Sequence, residues 1–297
     1  MIHNAAVPLL VDRAGFGCDR VMNLQGQRGN NRTAERQEGN QESHVESDAS
    51  REPRYDEGMM DPALVGRRIA FFGGSFDPPH QGHLGVARAA QMALDLDTVL
   101  FAPVGAQPLK PLGATASFAD RLAMTRLAIE DQPQFALSLA DSPSPDRAHN
   151  YTIDTLLLLQ RELPPNGSLF CLMGADSFLN LRHWHRGDEI PFAAPLIVAS
   201  RPGQKLQDFA DVLPNGLALN VSSGEARTVS GIAVCTFVLR NAVGATTPFY
   251  LLPDLEIEIS ASEIRRQAHA ALGGLCAGHD LLPDRVCEYI AEKGLYR

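Results

Sequence analysis

The residues best placed to do chemistry lie in one short stretch, Gly73-Gly74-Ser75-Phe76-Asp77-Pro78-Pro79-His80-Gln81-Gly82-His83. Two imidazoles three apart, with a glycine between them, stand where a helical pattern begins: Leu84, Ala87, Ala90 and Leu94 share one face beyond them. Backbone N–H groups and the dipole at a helix start favour an anion. Two imidazoles beside them suggest a phosphate that carries charge through a reaction. Gly73 and Gly74 have no Cβ to keep a bulky ligand off the backbone, and Pro78-Pro79 stiffens the loop. The plainer alternative is a strand-to-helix turn with two surface histidines. A second cationic feature sits far along the chain. Ser260 and Glu263 have the spacing of a capping box, so a helix should start there. Arg265 and Arg266 then fall in its first turn, where the dipole disfavours cations by roughly 0.3–1 kcal/mol. Either an ion pair with an acid compensates, or a polyphosphate is held between arginine and helix N-terminus.

Positioning these groups requires a scaffold, and the order of elements supplies one. The apolar run Ile69-Ala70-Phe71-Phe72 leads into the glycines as a buried strand. Further strands are expected at 98–102, 135–139, 168–173, 196–200 and 249–252. Helices are expected at 117–131 and 151–162, the first with Leu122, Thr125 and Ile129 inward and Arg121, Arg126 and Glu130 largely outward. This alternation predicts an α/β fold: a Rossmann-like, doubly wound parallel sheet of about five or six strands with flanking helices. Right-handed crossovers put the loops after the strands along one edge, where such sheets bind ligands. Residues 203–248 give no clear pattern, because short apolar runs are broken by Gly, Ser and Asn, and are kept as an uncertain insertion.

Composition bounds the reading. The 297 residues are 44% hydrophobic, and the formal charge is −9 with a pI near 5.5. That balance argues against a general nucleic-acid binder, though a nucleotide needs only a local cluster. Lysine is scarce, only Lys110, Lys205 and Lys293, so the cations are mostly arginine. The five cysteines have no CxxC spacing, so neither a disulfide framework nor a zinc site is expected. No apolar stretch has the length of a membrane span. The opening residues lack a basic leader and cleavage site, so a cytoplasmic location is expected. From Asn23 to Gly58 large apolar residues are almost absent. Residues 1–60 are therefore expected to be a disordered N-terminal extension, dispensable for function.

The stretch at 73–83 resembles the G-G-x-F-x-P-x-H-x-G-H signature of the HxGH-type nucleotidyltransferase superfamily. Ile259-Ser260-Ala261-Ser262-Glu263-Ile264-Arg265 resembles its I-S-x-T-x-I-R motif, with Ser262 keeping the hydroxyl of the usual threonine. Asn150-Tyr151-Thr152-Ile153-Asp154-Thr155-Leu156, Gly174-Ala175-Asp176-Ser177, Trp184 and Pro195 to Gly203 resemble segments of bacterial nicotinate-nucleotide adenylyltransferases, in order. So does the end, Leu281 to Asp284 and Gly294 to Arg297. The resemblance implies a nucleotidyltransferase domain over 61–297 that transfers AMP from ATP to nicotinate mononucleotide. It implies His80, His83 and Arg265 as catalytic residues. It places Gly73, Gly74, Ser75, Phe76, Ser262 and Asp176 on ATP, and Lys110, Tyr151, Thr152 and Trp184 on the mononucleotide. No protein metal site is implied, and Mg²⁺ would ride on the ATP phosphates. Tyr151 and Thr152 are otherwise ordinary helix-entry residues, Trp184 a core residue and Asp176 an N-cap. The loop Pro103 to Pro111 departs from the family's P-P-H-K or P-P-H-R pattern, with Leu109 in place of histidine. That keeps open a sibling enzyme using nicotinamide mononucleotide or another phosphate acceptor. A non-catalytic nucleotide sensor is the alternative of another class. The enzyme reading requires residues near 80 and near 265 to meet around one triphosphate.

Overall fold

The computed structural model describes residues 67–106, 113–144, 149–200, 202–204, 209–255, 259–270 and 281–297. The expected extension at 1–60 lies outside the described residues, as does Lys110 with Leu109. The sheet is built around β1, Arg68–Gly74, whose middle residues are buried on both faces. A strand covered on both sides reads as a continuous apolar run, which is why Ile69 to Phe72 shows no alternation. Parallel strands β2 (Thr98–Pro103) and β4 (Ser168–Gly174) flank it, and β3 (Phe135–Leu137) lies outside β2. On the other side follow β5 (Leu196–Ala199) and β8 (Thr246–Leu252), again parallel. These are the expected five or six parallel strands.

The unread region after residue 203 extends the same sheet. It forms a hairpin of β6, Ala218–Val229, and β7, Ile232–Arg240, antiparallel to each other and to β8. The eight strands run β3-β2-β1-β4-β5-β8-β7-β6. Ser230 and Gly231 turn the hairpin, both with positive φ (51° and 81°), as a two-residue primed turn requires. The pattern is faint in sequence because most of β6 is exposed and a register shift interrupts it between Asn220 and Glu225.

Alternate residues of β1 feed two cores. Ala70 and Phe72 pack towards α1 (Gln81–Leu94), α2 (Phe118–Ile129), α6 (Ala261–Ala270) and α7 (Asp284–Lys293). Ile69 and Phe71 pack with α3 (Thr152–Glu162), α4 (Ala175–Leu179) and α5 (Ile190–Ala193). Helices therefore cover both faces, as a doubly wound sheet demands. The order of strands reverses between β1 and β4, so a crevice opens beyond their C-terminal ends. Gly74 and Gly174 end those two strands.

Candidate active site

That crevice is a cavity of about 660 Å³, a size suited to a small ligand. Every site residue expected from the sequence that lies among the described residues lines it. Gly73 to Phe76 come from the end of β1, His80 and His83 from the start of α1, and Tyr151 and Thr152 from the start of α3. Asp176 and Trp184 follow β4, and Ser262 and Arg265 lie at the start of α6. The N-terminal ends of α1, α3 and α6 thus meet one space, and their dipoles favour an anion there.

The two histidines form a reciprocal cap. The backbone N–H of His83 donates to Nδ1 of His80 at 3.3 Å, and that of His80 to Nδ1 of His83 at 3.2 Å. Each Nδ1 is then an acceptor, so each neutral ring carries its proton on Nε2. The rings stack with centroids 3.7 Å apart. Burial lowers the pKa of His80 from 6.5 to about 4. His83 lies edge-on to Phe76 at 4.9 Å, and burial, then the neighbouring His80, hold it well below its usual value. The pair therefore presents two fixed N–H donors rather than two cations. The helix start is less open than expected. The N–H of Gln81 donates to the carbonyl of Leu281 at 2.9 Å, and that of His83 is committed to His80.

The two arginines of α6 part company. Arg266 pairs with Glu263 at 2.6 Å on the surface, which is the ion-pair alternative. Glu263 also accepts from Gln267 at 2.9 Å, so its carboxylate faces along its own helix. Arg265 crosses to the histidine loop. Its Nη1 donates to the carbonyl of Asp77 at 2.6 Å and its Nη2 to Oγ of Ser262 at 3.1 Å. Residues separated by 188 positions are thereby joined.

The glycines make room in part for the protein itself. A Cβ on Gly74 would come 3.2 Å from the Phe76 ring, and one on Gly73 2.8 Å from that of Phe71. The Phe76 side chain is buried among Phe72, His83 and Phe101. Asp176 is exposed at the second residue of α4, whose N-cap is Gly174. Trp184 satisfies both readings, since it packs on a core and also lines the cavity. Beside it, His185 lies against Tyr151 with centroids 4.3 Å apart.

Several residues support the site in ways that their sequence positions do not announce. Arg121, expected to point outward, is 2% exposed. It donates to the carbonyls of Ser75 at 2.7 Å and Val104 at 2.8 Å, and burial lowers its pKa. Its spacing of four from Thr125 was the available signal, since both fall on one helix face. Asn150 ties three loops: its Oδ1 accepts from Ala106 N–H at 2.9 Å, and its Nδ2 donates to the Ser142 carbonyl at 2.8 Å. Asp141 accepts from Thr155 at 2.8 Å. Asp77 lies inside the quoted motif, yet nothing local marks its partners. Its carboxylate accepts from the N–H groups of Thr115 and Ala116 at 2.6 and 3.0 Å.

Comparison with known proteins decides the family. Residues 71–267 match the family model described as Cytidylyltransferase-like. A probable nicotinate-nucleotide adenylyltransferase of Gloeobacter violaceus is 36% identical over 235 residues, 78% of this chain and 97% of that protein. One from Laribacter hongkongensis is 37% identical over 230 residues, 77% of this chain and 94% of that protein. The chain belongs to the nicotinate-nucleotide adenylyltransferase family. The fold agrees with the nicotinic acid mononucleotide adenylyltransferase of Plasmodium falciparum, solved in complex with NaAD. That structure superposes with a TM-score of 0.53 at 19% identity, over 78% of this chain and 98% of that one. Family membership accounts for the two motifs that meet at Asp77 and for the segment from Asn150 to Leu156.

Proposed function

We propose that this chain transfers AMP from ATP to nicotinate mononucleotide, releasing pyrophosphate and forming deamido-NAD for NAD biosynthesis in the cytoplasm. The 5′-phosphate oxygen of the acceptor attacks the α-phosphorus, and the bond to the bridging oxygen of pyrophosphate breaks. The acceptor is already anionic at neutral pH, so no general base is needed. Catalysis rests on alignment and on charge stabilisation. His80 and His83 donate from Nε2 towards the α- and β-phosphates, where negative charge builds on the leaving oxygen. Arg265, with Ser262, holds the β- and γ-phosphates. The backbone of Gly73 to Phe76 lies along the nucleotide, and Asp176 takes ribose hydroxyls. Trp184 stacks on the nicotinate ring, an aromatic contact of about 0.5–1.5 kcal/mol beyond buried area. Tyr151 and Thr152, at the start of α3, meet its carboxylate. Lys110 neutralises the acceptor phosphate.

Mg²⁺ fits this reading as a companion of the triphosphate. Among the described residues no cluster of three or more His, Cys, Asp or Glu could hold a metal. Both oxygens of Asp77 already accept backbone N–H bonds. The ion would sit on phosphate oxygens and water and neutralise charge on the departing pyrophosphate.

The observation that carries the proposal is the meeting of Arg265 with the His80–His83 pair in one cavity that also holds Tyr151, Thr152 and Trp184. The test is pyrophosphate release from ATP with no acceptor, with nicotinate mononucleotide and with nicotinamide mononucleotide. Release dependent on the nicotinate form is expected. Preference for the nicotinamide form would make it the sibling enzyme, and no release with either would leave a nucleotide sensor.

A further inference from the structure

The end of the chain is built into the floor beneath the histidine loop. Helix α7 stops at Gly294 (φ 62°), and the N–H of Leu295 returns to the carbonyl of Ile290 at 3.1 Å. This reversal aims Tyr296 inward. Tyr296 has φ 64°, a left-handed conformation that a bulky aromatic residue adopts only where its surroundings impose it. The residue is 9% exposed, and its hydroxyl donates to Oδ1 of Asp77 at 2.8 Å, across 219 positions of sequence.

Asp77 is where the loop, the chain end and α6 meet. Its Oδ1 also accepts from Ala116, its Oδ2 from Thr115, and Nη1 of Arg265 stands 3.8 Å from Oδ2. That separation is long for a charge-assisted bond, which settles near 2.7–2.9 Å. The guanidinium donates instead to the backbone carbonyl of Asp77, leaving its charge only loosely matched by the carboxylate.

We propose that Tyr296 is a positioning residue for nucleotide binding. By occupying Oδ1 it keeps the Asp77 carboxylate from turning onto Arg265, and so leaves that guanidinium for a polyphosphate. Without the hydroxyl, the carboxylate closes on Arg265 as a direct ion pair and competes with the β- and γ-phosphates. The proposal rests on the reading above that Arg265 meets those phosphates; it does not depend on the acceptor.

The test is calorimetric binding of ATP and of AMP to the full chain, as wild type, Y296F, R265A and the double variant. AMP lacks the phosphates assigned to Arg265. Y296F is expected to weaken ATP about five- to tenfold and AMP less than twofold. R265A should show at least that loss for ATP, and adding Y296F to it should change the ATP-to-AMP ratio less than twofold, since both act on one interaction. Partial unfolding lowers both apparent affinities by the same factor, so the ratio survives a destabilised variant. An unchanged ratio in Y296F, or losses that multiply in the double variant, would overturn the role of Tyr296. An unchanged ratio in R265A would overturn the phosphate role of Arg265 and this proposal with it. Absence of pyrophosphate release with nicotinate mononucleotide, alongside the expected ratios, would overturn the proposed reaction and leave the role of Tyr296 standing.

Discussion

His80 and His83 act first on each other. Each holds the other's backbone N–H, and burial keeps both rings neutral. A neutral imidazole fixed through Nδ1 gives a donor whose direction is set in advance, which is what a charge developing on oxygen needs. Losing one such donor typically costs about 2.7–4 kcal/mol of barrier. His83→Ala should therefore lower kcat about a hundredfold or more with the fold intact, and a near-normal steady-state rate would remove it from the mechanism. The same burial makes stability depend on pH. His80 moves from 6.5 in the unfolded chain to about 4 in the folded one, so between those values the unfolded chain binds more protons. Its contribution is complete above pH 6.5 and is lost as pH falls towards 4, by about 3 kcal/mol. His80→Asn retains an N-cap acceptor and removes that titration. Its Tm, followed by calorimetry from pH 7.5 to 4.5, should fall less steeply than that of the wild type.

At the scale of elements, the loops after β1, β2 and β3 are one cross-linked unit. The N–H of Val104 donates to Gly74, that of Gly105 to Asp141, and Arg121 and Asn150 tie the same segments by their side chains. Gly105 marks the closest approach. A Cβ there would lie 2.5 Å from the nitrogen of Pro143 and 2.8 Å from Oδ1 of Asn150. Backbone cannot yield as a flexible side chain can, so Gly105→Ala should cost about 1–3 kcal/mol, read as a lower Tm. Because the displaced loop leads towards Lys110, the KM for the mononucleotide should rise more than that for ATP. A variant with wild-type Tm would show that these loops are separately mobile. None of this linkage was visible in the sequence. The strands were, because burial on both faces leaves long apolar runs; the β6–β7 hairpin was not, because a largely exposed strand with a register shift carries little pattern.

At the scale of the molecule, the curated relatives are matched over 94–97% of their length by 77–78% of this chain. The rest of this chain lies outside those matches. Residues 1–58 lie outside the family match at 71–267, and removing them should leave kcat and both KM values within about twofold; a large loss of kcat would give that segment a part in catalysis. Taken by itself, the amino-acid order picked out the motif residues that line the crevice and showed that strands and helices alternate, since motif spacing and apolar runs are local properties. The tertiary structure alone decided that Arg265 reaches Asp77 while Arg266 stays with Glu263, that Arg121 turns inward, and that Tyr296 ends beneath the histidine loop. Those outcomes depend on which strand ends the sheet brings side by side. Contacts across 188 and 219 positions leave no periodicity along the chain by which they could be read in advance.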